Sequence, residues 1–228
     1  MSLVHKTKVS WLRDFFLGGQ DGLVNVLGIV LGLFAAGGES HIIIVAGMAA
    51  AFAEAVSMGA VAYTSTLAQK DFYDKQNQNE KAHIEKFPEE EKQELYKIYS
   101  AKGFEGKLLD DIVDEIVSDK EVWVNIMMEE ELDLSKVDTS SIVNSALVVG
   151  LSALVGSFVP ILPLFFLART DALIASIVVS ALALFAAGVY EAKSYVGNWL
   201  HKGLQMVAIG MGAALVGFLV GRVFNVNP

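Results

Sequence analysis

The feature that most constrains this chain is the uneven placement of its charges. Residues 15–36, 42–67, 142–168, 172–190 and 204–220 form five apolar stretches. Each is long enough to cross a bilayer, since a spanning helix needs about 20 mostly apolar residues. The last three carry no charged side chain, the first holds only Asp21, and the second only Glu54. Mean hydropathy is +0.48, yet the 228 residues carry a net charge of −9. The two facts are reconciled by segregation. Residues 70–140 hold 20 of the 26 acidic and 10 of the 17 basic residues, for a charge of −10, and the rest of the chain is +1. The expected fold class is therefore an all-α membrane protein, with five transmembrane helices and an acidic helical insert between spans two and three. The expected domains are 1–69 with two spans, the insert at 70–140, and 141–228 with three.

This pattern excludes a simple soluble globular domain. It argues against nucleic acid as a partner, because an acidic insert repels a polyanion. With no cysteine, disulfides, thiolate metal sites and cysteine nucleophiles are absent. The first stretch is too long and too closely followed by a second to read as a cleaved signal peptide. Positive residues set the orientation. An inside N-terminus puts 15 Lys and Arg on the inner side and leaves only Arg169 and Arg222 outside. The N-terminus and insert are thus expected in the cytoplasm and the C-terminus on the far side. No targeting signal is visible, so a prokaryotic plasma membrane is expected before a vacuolar or other endomembrane.

The insert reads as helical throughout. A polar continuation of span two is expected over 69–86. Pro88, followed by Glu89, Glu90 and Glu91, opens a second helix that Gly103 closes. A third spans about 105–117, with Leu108, Leu109, Ile112, Val113 and Ile116 on one face. Asp119 caps a fourth, 120–132. In the membrane part, Gly28 and Gly32, like Gly217 and Gly221, have the spacing that lets helix backbones approach, within one subunit or between two. Pro160 and Pro163 are expected to kink span three.

Ionisable groups inside a bilayer cost at least about 2.5 kcal/mol each, and so usually serve function. Asp21 and Glu54 are such groups, and Met58 shares a helix face with Glu54, four residues on. Carboxylates bind cations or carry protons, and a thioether favours transition metals. The plain alternatives are a buried polar pair joining helices and a core methionine. In the insert, Glu80 and His83, Glu91 and Glu94, and Met128 with Glu131 are each three apart, and Met127 adjoins the last pair. Pairs at this spacing face the same way, so three helices could offer ligands to one metal centre. A solvated acidic face fits the same spacing.

These residues carry a resemblance. The chain resembles the vacuolar iron transporter family, which includes yeast calcium-sensitivity-complementing transporters, plant nodulin-21-like proteins and prokaryotic members, and it looks like a prokaryotic-type member. The motifs are Arg13-Asp14 followed by Gly19-Gln20-Asp21-Gly22-Leu23-Val24, then Ala53-Glu54-Ala55-Val56-Ser57-Met58-Gly59. Met127-Met128-x-x-Glu131-Leu132 and Pro160-x-x-Pro163 complete them. The resemblance implies a homodimeric exchanger in membrane lipid that moves Fe²⁺, and often Mn²⁺, out of the cytoplasm against inward proton flow. Co²⁺ and Zn²⁺ are further possible cargoes, and no prosthetic group is implied. It assigns ion translocation to Asp21 and Met58, along a path at the dimer interface, with Glu54 as the local replacement for a carboxylate that plant members carry where this chain has Ala50. It assigns metal capture to Glu80, His83, Glu91, Glu94, Met127, Met128 and Glu131, with His83 standing where plant members have Glu. A metal-sensing or metal-buffering membrane protein without transport is the alternative. No nucleophile–base constellation or nucleotide motif points to an enzyme.

Overall fold

The structure is a computed structural model that describes residues 3–137, 140–194 and 197–224. Among the described residues eight α-helices follow one another: α1 Leu3–Ala35, α2 Ser40–Lys86, α3 Pro88–Ala101, α4 Gly106–Ser118, α5 Lys120–Ile126, α6 Ser140–Ile161, α7 Arg169–Ser194 and α8 Trp199–Val223. A π-helical turn, Met127–Glu131, follows α5, and a 3-10 turn, Leu162–Phe165, follows α6. No strand occurs among the described residues. Five helices are long and apolar enough to cross a membrane: α1, α2, α6 with its 3-10 turn, α7 and α8. The chain divides into two compact units. One comprises residues 1–63 and 141–228, the other residues 64–140.

In the first unit the helices pack around Val26, Val30, Ile43 and Ile161, all fully buried. Beside these, Leu27, Leu31 and Ala214 form a second apolar cluster. Small residues set the closeness of the helices. A Cβ added at Gly217 would lie 2.4 Å from the Gly28 carbonyl oxygen, and one at Gly221 would lie 1.8 Å from that of Gly32. The two glycine pairs noted in the sequence thus meet each other within one chain and join α1 to α8. Gly156 of α6 meets Gly19 of α1 in the same way, at 2.0 Å.

Span three differs from expectation at its end. Its α-helix stops at Ile161, seven residues short of the apolar stretch, and the chain continues as a 3-10 turn. Pro160 and Pro163 both lack a backbone N–H, and this second missing donor within one turn ends the α-helical ladder. The Pro160 carbonyl, in the last turn of α6, accepts from the Ser176 hydroxyl of α7 at 2.7 Å.

The second unit has its own core, built from Tyr73, Ile84, Leu95, Val113, Ile116, Trp123, Val124, Met127 and Met128. Helix α3 opens with proline at its first turn and three glutamates beside the helix dipole, as the local sequence dictates. Gly103 ends the segment at a φ of 93°, a left-handed conformation that glycine adopts without strain. The Asp119 carboxylate accepts from the Glu121 and Val122 amides at 2.8 and 3.2 Å, capping α5. Of the five apolar residues expected on one face of α4, Val113 and Ile116 are buried, Leu109 and Ile112 pack against the core, and Leu108 is exposed. The expected helix over 120–132 is α-helical only to Ile126. Beyond it, the Leu132 amide bonds back five residues to the Met127 carbonyl at 3.2 Å.

Candidate ion sites

Two groups of carboxylates stand out, one in each unit. In the first unit, α1 and α2 wall an open cavity of about 410 Å³, lined by Asp21, Asn25, Ile29, Ala50, Glu54, Ser57 and Met58. The three residues singled out in the spans, Asp21, Glu54 and Met58, therefore share one cavity. Asp21 and Asn25 are one helical turn apart, as are Glu54 and Met58, so each pair looks out from one helix face. The Asn25 amide donates to Glu54 Oε1. The cavity offers two carboxylates, an amide, a hydroxyl and a thioether, a mixed set of hard and soft donors suited to a partly dehydrated transition-metal ion.

Asn25 is not among the residues that the sequence singles out. Its position four residues after Asp21 was the signal for a shared face. Asp14 was also left without a role. It is buried, its Oδ2 accepts from the Ser145 hydroxyl of α6 at 2.6 Å, and Arg13 pairs with its other oxygen at 3.1 Å. This carboxylate ties α1 to α6.

In the second unit, α2 presents Glu80, α3 presents Glu91, and the π turn presents Glu131. One carboxylate oxygen from each lies within 4.8 Å of the others. Glu80 and Glu91 are buried. Glu80 Oε1 and Glu91 Oε2 have no hydrogen-bond partner among the described residues. Buried polar atoms are nearly always paired, so two orphaned carboxylate oxygens in one such group call for a proton or a cation. Burial, then repulsion from Glu91 and Glu131, pushes Glu80 up from the ordinary 4.5 to about 7. Burial, then the neighbouring Glu94 and Glu91, does the same to Glu131, to about 7. Like charges crowded in a desolvated place cannot all ionise at low cost.

The other expected ligands surround this group in different ways. His83 Nδ1 lies 3.4 Å from Glu91 Oε1. Glu94 lies near enough to Glu131 to push its carboxyl up. Met127 and Met128 are wholly buried in the apolar core of the unit. The π turn accommodates both methionines in that core while carrying Glu131 to the carboxylate group. Such turns recur at functional sites. A cavity of about 320 Å³ opens beside Glu80, His83 and Glu131, with Gln76 and Asn79 adding amides to its wall. Gln76 precedes Glu80 by one turn of α2, which is the sequence signal that would have included it.

Comparison with known proteins agrees with this architecture. The family model described as VIT family matches residues 12–222. Vacuolar iron transporter 1 of Arabidopsis thaliana is 30% identical over 221 residues, covering 96% of this chain and 88% of the relative. Vacuolar iron transporter 2 of Oryza sativa subsp. japonica is 31% identical over 216 residues, covering 94% and 87%. The vacuolar iron transporter of Plasmodium falciparum is 30% identical over 226 residues, covering 95% and 83%. The match takes in the five membrane-spanning helices, both carboxylate groups and the π turn, and so the chain belongs to the VIT family, a family of multi-pass membrane transporters.

Proposed function

We propose that this protein exports Fe²⁺, and also Mn²⁺, from the cytoplasm in exchange for protons, working as a homodimer. The observation that carries the reading is the shared cavity of Asp21, Asn25, Glu54 and Met58 between two membrane-spanning helices. Carboxylates at membrane depth are costly and are kept where an ion or a proton passes. Asp21 and Met58 coordinate the metal in transit, and Glu54 exchanges a proton or shares the ion, held in place by Asn25. A site that mixes hard oxygen and soft sulfur binds a divalent transition metal well enough to take it in and weakly enough to release it. The names of the relatives favour iron as cargo.

The acidic unit, residues 64–140, lies on the cytoplasmic side in this reading, as the distribution of Lys and Arg requires. There Glu80, Glu91 and Glu131 capture the metal, with His83 and Glu94 as adjoining ligands and Met127 and Met128 behind them. The two orphaned oxygens supply the incoming cation with donors already stripped of water. Transport is tested by Fe²⁺ uptake into proteoliposomes with an imposed pH gradient. Wild-type protein is expected to drive uptake that collapses when the gradient is dissipated. Asp21→Ala and Met58→Ala are expected to abolish it. Uptake by both variants at the wild-type rate would remove the proposed path, and metal binding without any flux by the wild type would make the protein a sensor or buffer.

A further inference from the structure

A second cavity, of about 460 Å³, is walled by α1, α6 and α7, on a different face of α1 from Asp21. At 100° per residue, the α1 residues that line it, such as Phe15, Gly19 and Leu23, centre about a third of a turn away from Asp21, Asn25 and Ile29, and the two cavities share no lining residue. The groove is therefore separate from the ion cavity. Its wall is almost wholly apolar, with Val159 of α6 and Ala187 of α7 closing it. Along α1 it runs from Trp11 to Leu23, about 18 Å at the rise of an α-helix. One leaflet of bilayer hydrocarbon is about 15 Å deep.

The end of the groove marked by Trp11 has the chemistry of a membrane interface. Trp11 and Tyr190 line it there and are half exposed, at 52% and 56%. Trp11 stacks on Phe15 at 5.7 Å, and Phe16 meets the Tyr190 ring at 5.8 Å. Aromatic residues with one apolar and one polar side settle at the headgroup level. Lys193, and Arg13 whose guanidinium also pairs with Asp14, are both exposed and lie within one helical turn of the Phe16–Tyr190 contact, one on each wall helix. They bring positive charge to the level where a phosphate would sit.

We infer that this groove holds one acyl chain of an anionic glycerophospholipid, with the phosphate between Arg13 and Lys193. The apolar slot takes the chain, the aromatic pair marks the ester level, and the two cations select the headgroup. With the orientation proposed above, this is the cytoplasmic leaflet, where anionic lipid and basic residues meet. The groove itself does not depend on that orientation.

The test is native mass spectrometry of the full chain, released from detergent after exposure to equal amounts of phosphatidylglycerol and phosphatidylcholine. Wild-type protein is expected to retain one phosphatidylglycerol per chain in preference to phosphatidylcholine. Ala187→Phe fills the slot and is expected to lower retention about tenfold, the loss of roughly two buried methylenes. Lys193→Gln, a surface change that leaves the packing alone, is expected to keep retention but erase the headgroup preference. Val178→Phe, on the exposed face of α7 away from the groove, is expected to match wild type. Equal retention by wild type and Ala187→Phe, or retention without preference in the wild type, would overturn the assignment.

Discussion

The two carboxylate groups differ in how their charge is met. In the membrane-spanning unit, Glu54 has an amide partner in Asn25, and the group opens on a cavity that also contains a thioether. In the acidic unit, three glutamates face one another with two oxygens unpartnered, and two of the three are pushed up to about 7. In the first arrangement a neutral amide meets one of two neighbouring carboxylates. The second is satisfied only by a proton or a cation. That difference fits two tasks in one transporter, passage at a site that must release and capture at a site that must attract.

The comparison can be broken at its strongest point first. Asp21→Asn is expected to cut gradient-driven Fe²⁺ uptake by at least a hundredfold, about 3 kcal/mol of barrier, with metal binding to the acidic unit unchanged by calorimetry. Next, Glu80→Gln with Glu91→Gln is expected to weaken that binding by at least about tenfold, while uptake at saturating metal persists. Asn25→Ala removes the partner that holds Glu54, and its uptake rate is expected to drop by about tenfold or less.

The smallest effect is one of pH. In the folded unit Glu80 and Glu131 keep their protons up to about 7, whereas the unfolded chain releases them near 4.5. The folded state therefore binds more protons between those values, and stability falls as pH rises from 4.5 through 7. Thermal unfolding of the metal-free protein should show a melting temperature that declines over this window. Added Mn²⁺ should restore it most at the alkaline end. Glu131→Gln should flatten the decline, and a rising melting temperature in the wild type would contradict the crowded-carboxylate account.

Much of the fold could be read from the sequence because membrane spans and helix caps are local signals. Apolar length alone marks the five spanning helices, and Pro88 and Asp119 mark helix starts. What escaped depends on contacts across distance or on backbone detail. The meeting of Gly28 and Gly32 with Gly217 and Gly221 joins the two ends of the chain, and spacing could not decide between partners. The end of α6 at Ile161 follows from Pro163 interrupting the backbone ladder, a boundary that apolar composition conceals. The π turn at Met127–Glu131 leaves no mark in residue type, yet it accompanies burial of both methionines with Glu131 still at the carboxylate group. Of the ion-site geometry, helical spacing could place Glu54 and Met58 on one face. That Asn25 would reach Glu54 across helices required the packing of α1 on α2.

The central claim is that transit and capture are separate. It is tested most directly by measuring the rate of Fe²⁺ uptake against metal concentration, in one set of proteoliposomes with a fixed pH gradient, for wild type, Asp21→Asn and Glu80→Gln. The account predicts that Asp21→Asn loses the maximal rate, and that Glu80→Gln keeps it but needs more metal to reach it. Loss of the maximal rate in both variants alike, or in Glu80→Gln alone, would contradict it.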